Sequence, residues 1–253
     1  MGRQAQHHRI QQVSTSLPRP SAAEEDLVRQ AGRALARHGL VHAYGHCSMR
    51  LDEGHFLVSP AKPLGLVLDE DACSVVPIDG PLPDGVLGEV RIHREIYRRR
   101  PEAGGVVRSM PQRVMTLGTA RITPKPRHGF GSYFAPQPPL WDDPQLLRND
   151  EQAAALAEQM GRARAIVMRG NGAVTAGASL EEAVVLTWYL EDAARVEFEA
   201  RAAGIADAGV ILGEAEVAQR ATWSGAILER MWTYMTLSRA DGERAQPLAL
   251  PAE

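Results

Sequence analysis

Apolar residues recur along this chain with two periods, and the switches between them lay out an alternating α/β fold. Positions 21–40 carry an amphipathic helix pattern, with Ser21 placed as N-cap, acids crowding the first turn and Gly39 ending it. Short strand patterns at 46–51 and 55–60 flank the turn Asp52-Glu53-Gly54, and a third at 73–78 runs into Asp79-Gly80. Helical spacing returns over 87–102 and stops before Pro101. A buried strand at 104–109 leads into a helix over 111–119, where Pro111 sits in the tolerated first turn. Residues 121–144 are rich in proline, glycine and aromatics but poor in charge, which predicts an ordered functional loop. A helix at 149–161, strands at 165–170 and 172–177, a long helix at 179–204 and a last helix at 214–235 complete the pattern. Ser179-x-x-Glu182 opens the long helix as a capping box. The early strands are joined by tight turns, so the expected architecture is an α/β layered domain with a mixed, mainly antiparallel sheet. One domain is expected over 22–240, between a polar arm at 1–21 and a tail at 241–253.

Composition narrows the class. The 253 residues are 44% hydrophobic and carry a net charge of −3, which suits one globular domain and argues against nucleic acid or anionic membrane as the main partner. Cys47 and Cys73 form no metal-like spacing and read as small buried hydrophobes in a reducing compartment. The N-terminus lacks the apolar segment of a signal peptide, and the expected location is the cytoplasm.

The stretch GGVVRSMPQ, from Gly104, puts Arg108 and Met110 where a strand meets a helix start. A βα fold usually places its chemistry at such a junction.

Several words in order, GHCSMRL, FLVSPAKPLG, VVPIDG, GEVRIHREIYRRRPEAGGVV, AIVMRGNGAVTAG and SLEEAVVLTWYLEDAA, are similar to the class II aldolase/adducin family between about residues 24 and 204. That resemblance implies a three-layer α/β/α sandwich, commonly a homotetramer with active sites between subunits. It also implies lyase or epimerase chemistry at a divalent metal; decarboxylases and dehydratases belong to the family, and the adducin head is non-catalytic. The family's acid/base glutamate falls on Glu89. Its three metal-binding histidines fall on Arg108, Met110 and Asn171. Arginine does not lose its proton to ligate, methionine is a poor ligand for hard ions, and a neutral amide binds weakly alone. No metal and no other cofactor is therefore expected. Two hydroxyl positions of the sugar-phosphate members are Ala61 and Leu87 here, which turns the expectation from phosphorylated sugars toward simple or aromatic carboxylic acids.

The remaining residues suit a metal-independent lyase acting through an enolate-like intermediate on a small oxygenated carboxylate. Arg108 can hold an anion with a permanent charge, and Glu89 can move a proton. His46, His128 and Tyr133 are candidate assistants, Tyr133 by analogy with an aromatic hydroxyl that a neighbouring subunit supplies in the family. Met110, Asn171, Lys62 and Ser59 are candidate substrate contacts. Each has a plainer alternative: a space-filling ion pair for Arg108, a helix-start carboxylate for Glu89, a solvated side chain for Lys62, a turn cap for Asn171. Two other classes stay open, a non-catalytic binding protein of the adducin-head type and a metalloenzyme with relocated ligands such as His46, His128 and Glu89.

Overall fold

The structure, a computed structural model, describes residues 17–237. The arm over residues 1–16 and the tail at 241–253 lie outside those residues. Helix α1 (Ala22–Arg37) starts where the Ser21 hydroxyl accepts the Glu24 N–H at 3.3 Å and the Glu24 carboxylate takes the Ser21 N–H at 2.7 Å. This reciprocal cap satisfies donors that a first helical turn leaves free.

Strands β1 (His46–Arg50), β2 (His55–Val58) and β3 (Ser74–Pro77) form an antiparallel meander. A 3₁₀ turn (Gly88–Val90) and helix α2 (Arg91–Arg99) then lead to β4 (Gly105–Ser109) and α3 (Gln112–Thr119). Next come the short β5 (Leu140–Trp141), α4 (Asp150–Met160), β6 (Ala165–Met168), β7 (Ala173–Gly177) and the long α5 (Leu180–Ala202). The seven strands make one sheet in the order β3-β2-β1-β4-β7-β6-β5, in which the β5–β6 pair is parallel and the other pairs are antiparallel.

Side chains alternate across the sheet and feed two cores. Val107 joins Leu35, Val114 and Leu186 beneath α1, α3 and α5, while Val106 joins Ile92, Ile96 and Leu156 beneath α2 and α4. The result is the three-layer α/β/α sandwich that the family resemblance implies, with the mixed, mainly antiparallel sheet that the sequence pattern predicts. Arg108 follows Val106 by two residues and so faces the α2 side.

Three elements differ from the sequence reading. The helix expected at 214–235 is two helices, α6 (Glu214–Arg220) and α7 (Ile227–Thr236). Gly225 and Ala226 between them have φ of 69° and 54°, and Trp223 turns inward to pack on Tyr133 with ring centres 4.5 Å apart. Tertiary packing overrides the helical pattern there. Glu89 lies in the 3₁₀ turn ahead of α2 rather than in the α-helix itself. At α5, Ser179 caps the Glu182 N–H at 3.2 Å, but the Glu182 carboxylate takes the N–H of Ala178, one residue before the cap.

Candidate active site

Strands β1 and β4 pair antiparallel with His46 opposite Arg108, which puts both side chains on the α2 face. Each is about 3% exposed. Gly45, just before His46, has φ of 134°, and a Cβ there would meet the Arg108 carbonyl at 3.1 Å. The 3₁₀ turn brings Glu89 Oε2 to 3.3 Å from Arg108 Nε. Arg108 Nη1 donates to the Ser109 carbonyl at 2.6 Å. Burial draws the guanidinium below its ordinary pKa, and the Glu89 charge opposes that drift.

The β6–β7 turn completes this end of the sheet. Gly172 has φ of 82°, and a Cβ there would lie 2.0 Å from the Ser109 carbonyl. Only a glycine lets the turn press so closely on β4, and the neighbouring Asn171 is thereby held beside Met110. Glu89, Arg108, Met110, Asn171 and His46 all line one cavity of about 810 Å³. Five polar atoms of its lining residues, His46 Nε2, Glu89 Oε1, Arg91 Nε, Arg108 Nε and Asn171 Nδ2, are buried without a hydrogen-bond partner in the chain, though the two arginine atoms face carboxylates, Asp150 at 3.2 Å and Glu89 at 3.3 Å. Such atoms are costly unless something else satisfies them.

Behind the cavity wall, His46 continues into a buried chain. Its Nδ1 is 2.8 Å from His93 Nε2, His93 Nδ1 is 2.6 Å from Ser48 Oγ, and Ser48 Oγ is 3.0 Å from the Tyr97 hydroxyl. Burial, reinforced by the neighbouring positive charge of Arg108, pushes the His93 imidazole down to about 3. His46 is also driven well below its usual value, by burial first and then by His93 and Arg108.

Other expected site residues are placed differently. Lys62 lines the cavity but is ion-paired with Asp71 at 2.6 Å. The Ser59 hydroxyl accepts the Cys47 N–H at 3.3 Å and is not part of the lining. His128 and Tyr133 lie on the opposite face of the sheet, against α5. His128 Nε2 is 2.7 Å from the Asp192 carboxylate, and the Tyr133 hydroxyl donates to the Thr222 carbonyl. Within one chain neither meets Glu89, so the trio of His46, His128 and Glu89 does not converge as relocated ligands. The loop aromatics Tyr133 and Phe134 are buried inside their own chain. Arg91, Arg148, Tyr44 and Leu146 line the cavity and escaped sequence reading, as did the Ser48 and Tyr97 links behind His46. His93 follows Glu89 by four residues, but its link to His46 is a tertiary contact with no local signal.

The residues present do not fit a divalent metal. A guanidinium stands beside the carboxylate, with a thioether and an amide completing the set. Among the described residues, no three His, Cys, Asp or Glu side chains converge as a metal-binding group.

The model of the Class II Aldolase and Adducin N-terminal domain matches residues 26–198. The chain belongs to this family. It is 31% identical over 206 residues to a 3,4-dihydroxyphthalate decarboxylase of Terrabacter sp. (strain DBF63), covering 74% of this chain and 85% of that one. A protein of the same name from Arthrobacter keyseri is 29% identical over 204 residues, covering 74% and 82%. The solved L-fuculose-1-phosphate aldolase from Thermus thermophilus superposes with a TM-score of 0.66 at 29% identity, over 76% of this chain and all (100%) of that one. An aldolase II superfamily protein from Pseudomonas syringae shares the fold, with a TM-score of 0.72 at 20% identity over 85% and 90% of the two chains. Decarboxylases and aldolases are both lyases, and this family member is an enzyme of lyase type.

Proposed function

We propose that this protein is a metal-independent decarboxylase of a small hydroxylated aromatic carboxylic acid. The observation that carries the reading is buried Arg108 paired with half-buried Glu89, 3.3 Å apart and open to the cavity, at positions where the family resemblance puts a metal ligand and the acid/base. A fixed guanidinium can stabilise developing oxyanion charge in a site shielded from water. Decarboxylation, retro-aldol cleavage and dehydration share an enolate-like intermediate; the names of the curated relatives favour the first.

The substrate anion binds against Arg108 and takes over part of its ion pair with Glu89. Glu89, protonated from solvent as that ion pair opens, gives the proton to the ring carbon that bears the carboxylate. The bond from that carbon to the carboxylate breaks, its electron pair returns to the ring, and carbon dioxide leaves. The product keeps the Glu89 proton, and solvent returns one to the carboxylate. Arg148 at the rim adds positive charge that suits an anionic substrate, while Arg91 beside it is paired with Asp150 at 3.2 Å.

The test is carbon dioxide release from dihydroxybenzoates and dihydroxyphthalates by wild type, Arg108→Lys and Arg108→Met, with thermal stability measured alongside. Lysine keeps the charge without the bidentate fork and should retain a fraction of the rate. Methionine should lose about 3 kcal/mol of transition-state stabilisation, roughly a hundredfold in rate. A methionine variant as active as wild type overturns the assignment. Tight binding of these acids with no turnover by wild type supports a non-catalytic binding protein instead.

A further inference from the structure

We propose that the buried chain Tyr97–Ser48–His93 fixes His46 with its proton on Nδ1, so that Nε2 offers a bare lone pair to the cavity and accepts a hydrogen bond from a hydroxyl group of the substrate. His46 is the substrate contact; His93, Ser48 and Tyr97 are positioning residues. The hydroxyl contact rests on the proposed function, whereas the tautomer does not.

The polarity of the chain follows from counting hydrogens. The Tyr97 hydroxyl is 2.9 Å from the Ser48 carbonyl oxygen. A carbonyl only accepts, so the single hydrogen of Tyr97 is spent there. Ser48 Oγ, 3.0 Å from the same phenol oxygen, must then be the donor in that contact. With its own hydrogen spent, Ser48 Oγ accepts from His93 at 2.6 Å, which puts the His93 proton on Nδ1. A neutral ring protonated at Nδ1 has a bare Nε2. His93 Nε2 therefore accepts at 2.8 Å, and the donor is His46 Nδ1–H. Reversing the chain would turn the Tyr97 hydrogen from the Ser48 carbonyl to Ser48 Oγ and give up the 2.9 Å bond to that carbonyl. Both imidazoles are kept neutral by burial and by the charge of Arg108.

The end of the chain is what substrate meets. His46 Nε2 is buried, lines the cavity and has no partner in the protein. A bare lone pair attracts an O–H and repels a carboxylate oxygen. Arg108, opposite His46 across the β1–β4 pair, has the reverse preference. Together they sort the two kinds of oxygen on a hydroxylated acid, with the hydroxyl toward His46 and the anionic oxygen toward Arg108. A ring lacking that hydroxyl leaves Nε2 unpaired, a loss that sites built to bond a hydroxyl do not tolerate.

The test uses the full chain labelled with ¹⁵N-histidine and read by long-range nitrogen–proton correlation. His46 and His93 should both be neutral, with Nδ1 protonated and Nε2 bare. A protonated Nε2 on His46 in wild type overturns the proposal without touching the decarboxylase reading. Tyr97→Phe, or Ser48→Ala should the phenylalanine variant fail to fold, frees the anchored polarity, and a second His46 tautomer should appear; unchanged tautomers would show that the chain does not set it. Titration with 3,4-dihydroxybenzoate should shift the His46 Nε2 resonance, whereas benzoate, of equal charge, should leave it in place. His46→Leu should weaken 3,4-dihydroxybenzoate binding roughly ten- to a hundredfold and leave benzoate unchanged. Equal binding of the two acids by wild type, or no binding of either at millimolar concentration, overturns the hydroxyl contact. If these results hold and no acid is turned over, the recognition stands and the proposed reaction fails.

Discussion

Arg108, His46 and His93 are polar groups almost wholly removed from the surface, and two different remedies keep them there. Arg108 keeps its charge and answers it with the Glu89 carboxylate at 3.3 Å and the Ser109 carbonyl at 2.6 Å. Removing one partner from such a pair costs far more than the pair contributes. The two histidines give up their charge instead. Their folded-state pKa values lie below the ordinary 6.5, that of His93 at about 3. At pH 7 both folded and unfolded rings are largely neutral, so the pair carries no pH-dependent term there. As pH falls through 6.5 the unfolded chain takes up protons that the folded chain refuses, and stability drops from there toward pH 3. The His93 ring should cost about 1.4 kcal/mol per pH unit well below 6.5, about 2 kcal/mol between pH 7 and pH 5, and His46 acts in the same direction. Urea unfolding at pH 7 and pH 5 measures this, and equal stabilities would contradict neutral burial. None of this pairing is written locally: Glu89 and Arg108 were readable as chemistry, but the partners of His46 belong to a strand and a helix that meet only on folding. Ser59 misled for the same reason, because its hydroxyl is taken by the β1 backbone.

At the scale of elements, the site depends on how closely the β6–β7 turn presses on the end of β4. Gly172→Ala would place a methyl 2.0 Å from the Ser109 carbonyl and hold it at a φ of 82°. Gly170→Ala, at φ 64° with nothing within 4 Å, isolates the backbone cost alone. The Gly170 variant should lose about 1 kcal/mol. The Gly172 variant should lose about 3 kcal/mol or more and also disturb Arg108. Thermal unfolding of both distinguishes them; equal losses would mean that the turn does not need its close seat. Elements were legible where pattern and punctuation agreed, as in α1 with its Ser21 cap or the β1–β2 hairpin around Asp52-Glu53-Gly54. They were less so where packing decides. Strand β5 is two residues long and exists because β6 lies beside it. The break between α6 and α7 follows Trp223 into the aromatic cluster of Tyr133 and Tyr189.

At the scale of the whole molecule, the site cavity is open and ringed by residues that a lone chain leaves uncovered. Tyr44, Leu87 and Leu146 at its mouth are exposed. Exposed apolar rims of this kind mark contact surfaces, and with the family's habit of sharing sites between subunits we expect a homotetramer. Light scattering at micromolar concentration checks this, and a monomeric mass would contradict it. Among the described residues, no helix is long and apolar enough to cross a membrane. The central proposal is that this enzyme works with Arg108 in place of a metal ion. The direct measurement is turnover of a hydroxylated aromatic acid by the purified protein after exhaustive chelation, with metal content determined on the same sample. Full activity at substoichiometric metal is the predicted result. Activity lost on chelation and restored by one divalent ion would contradict it.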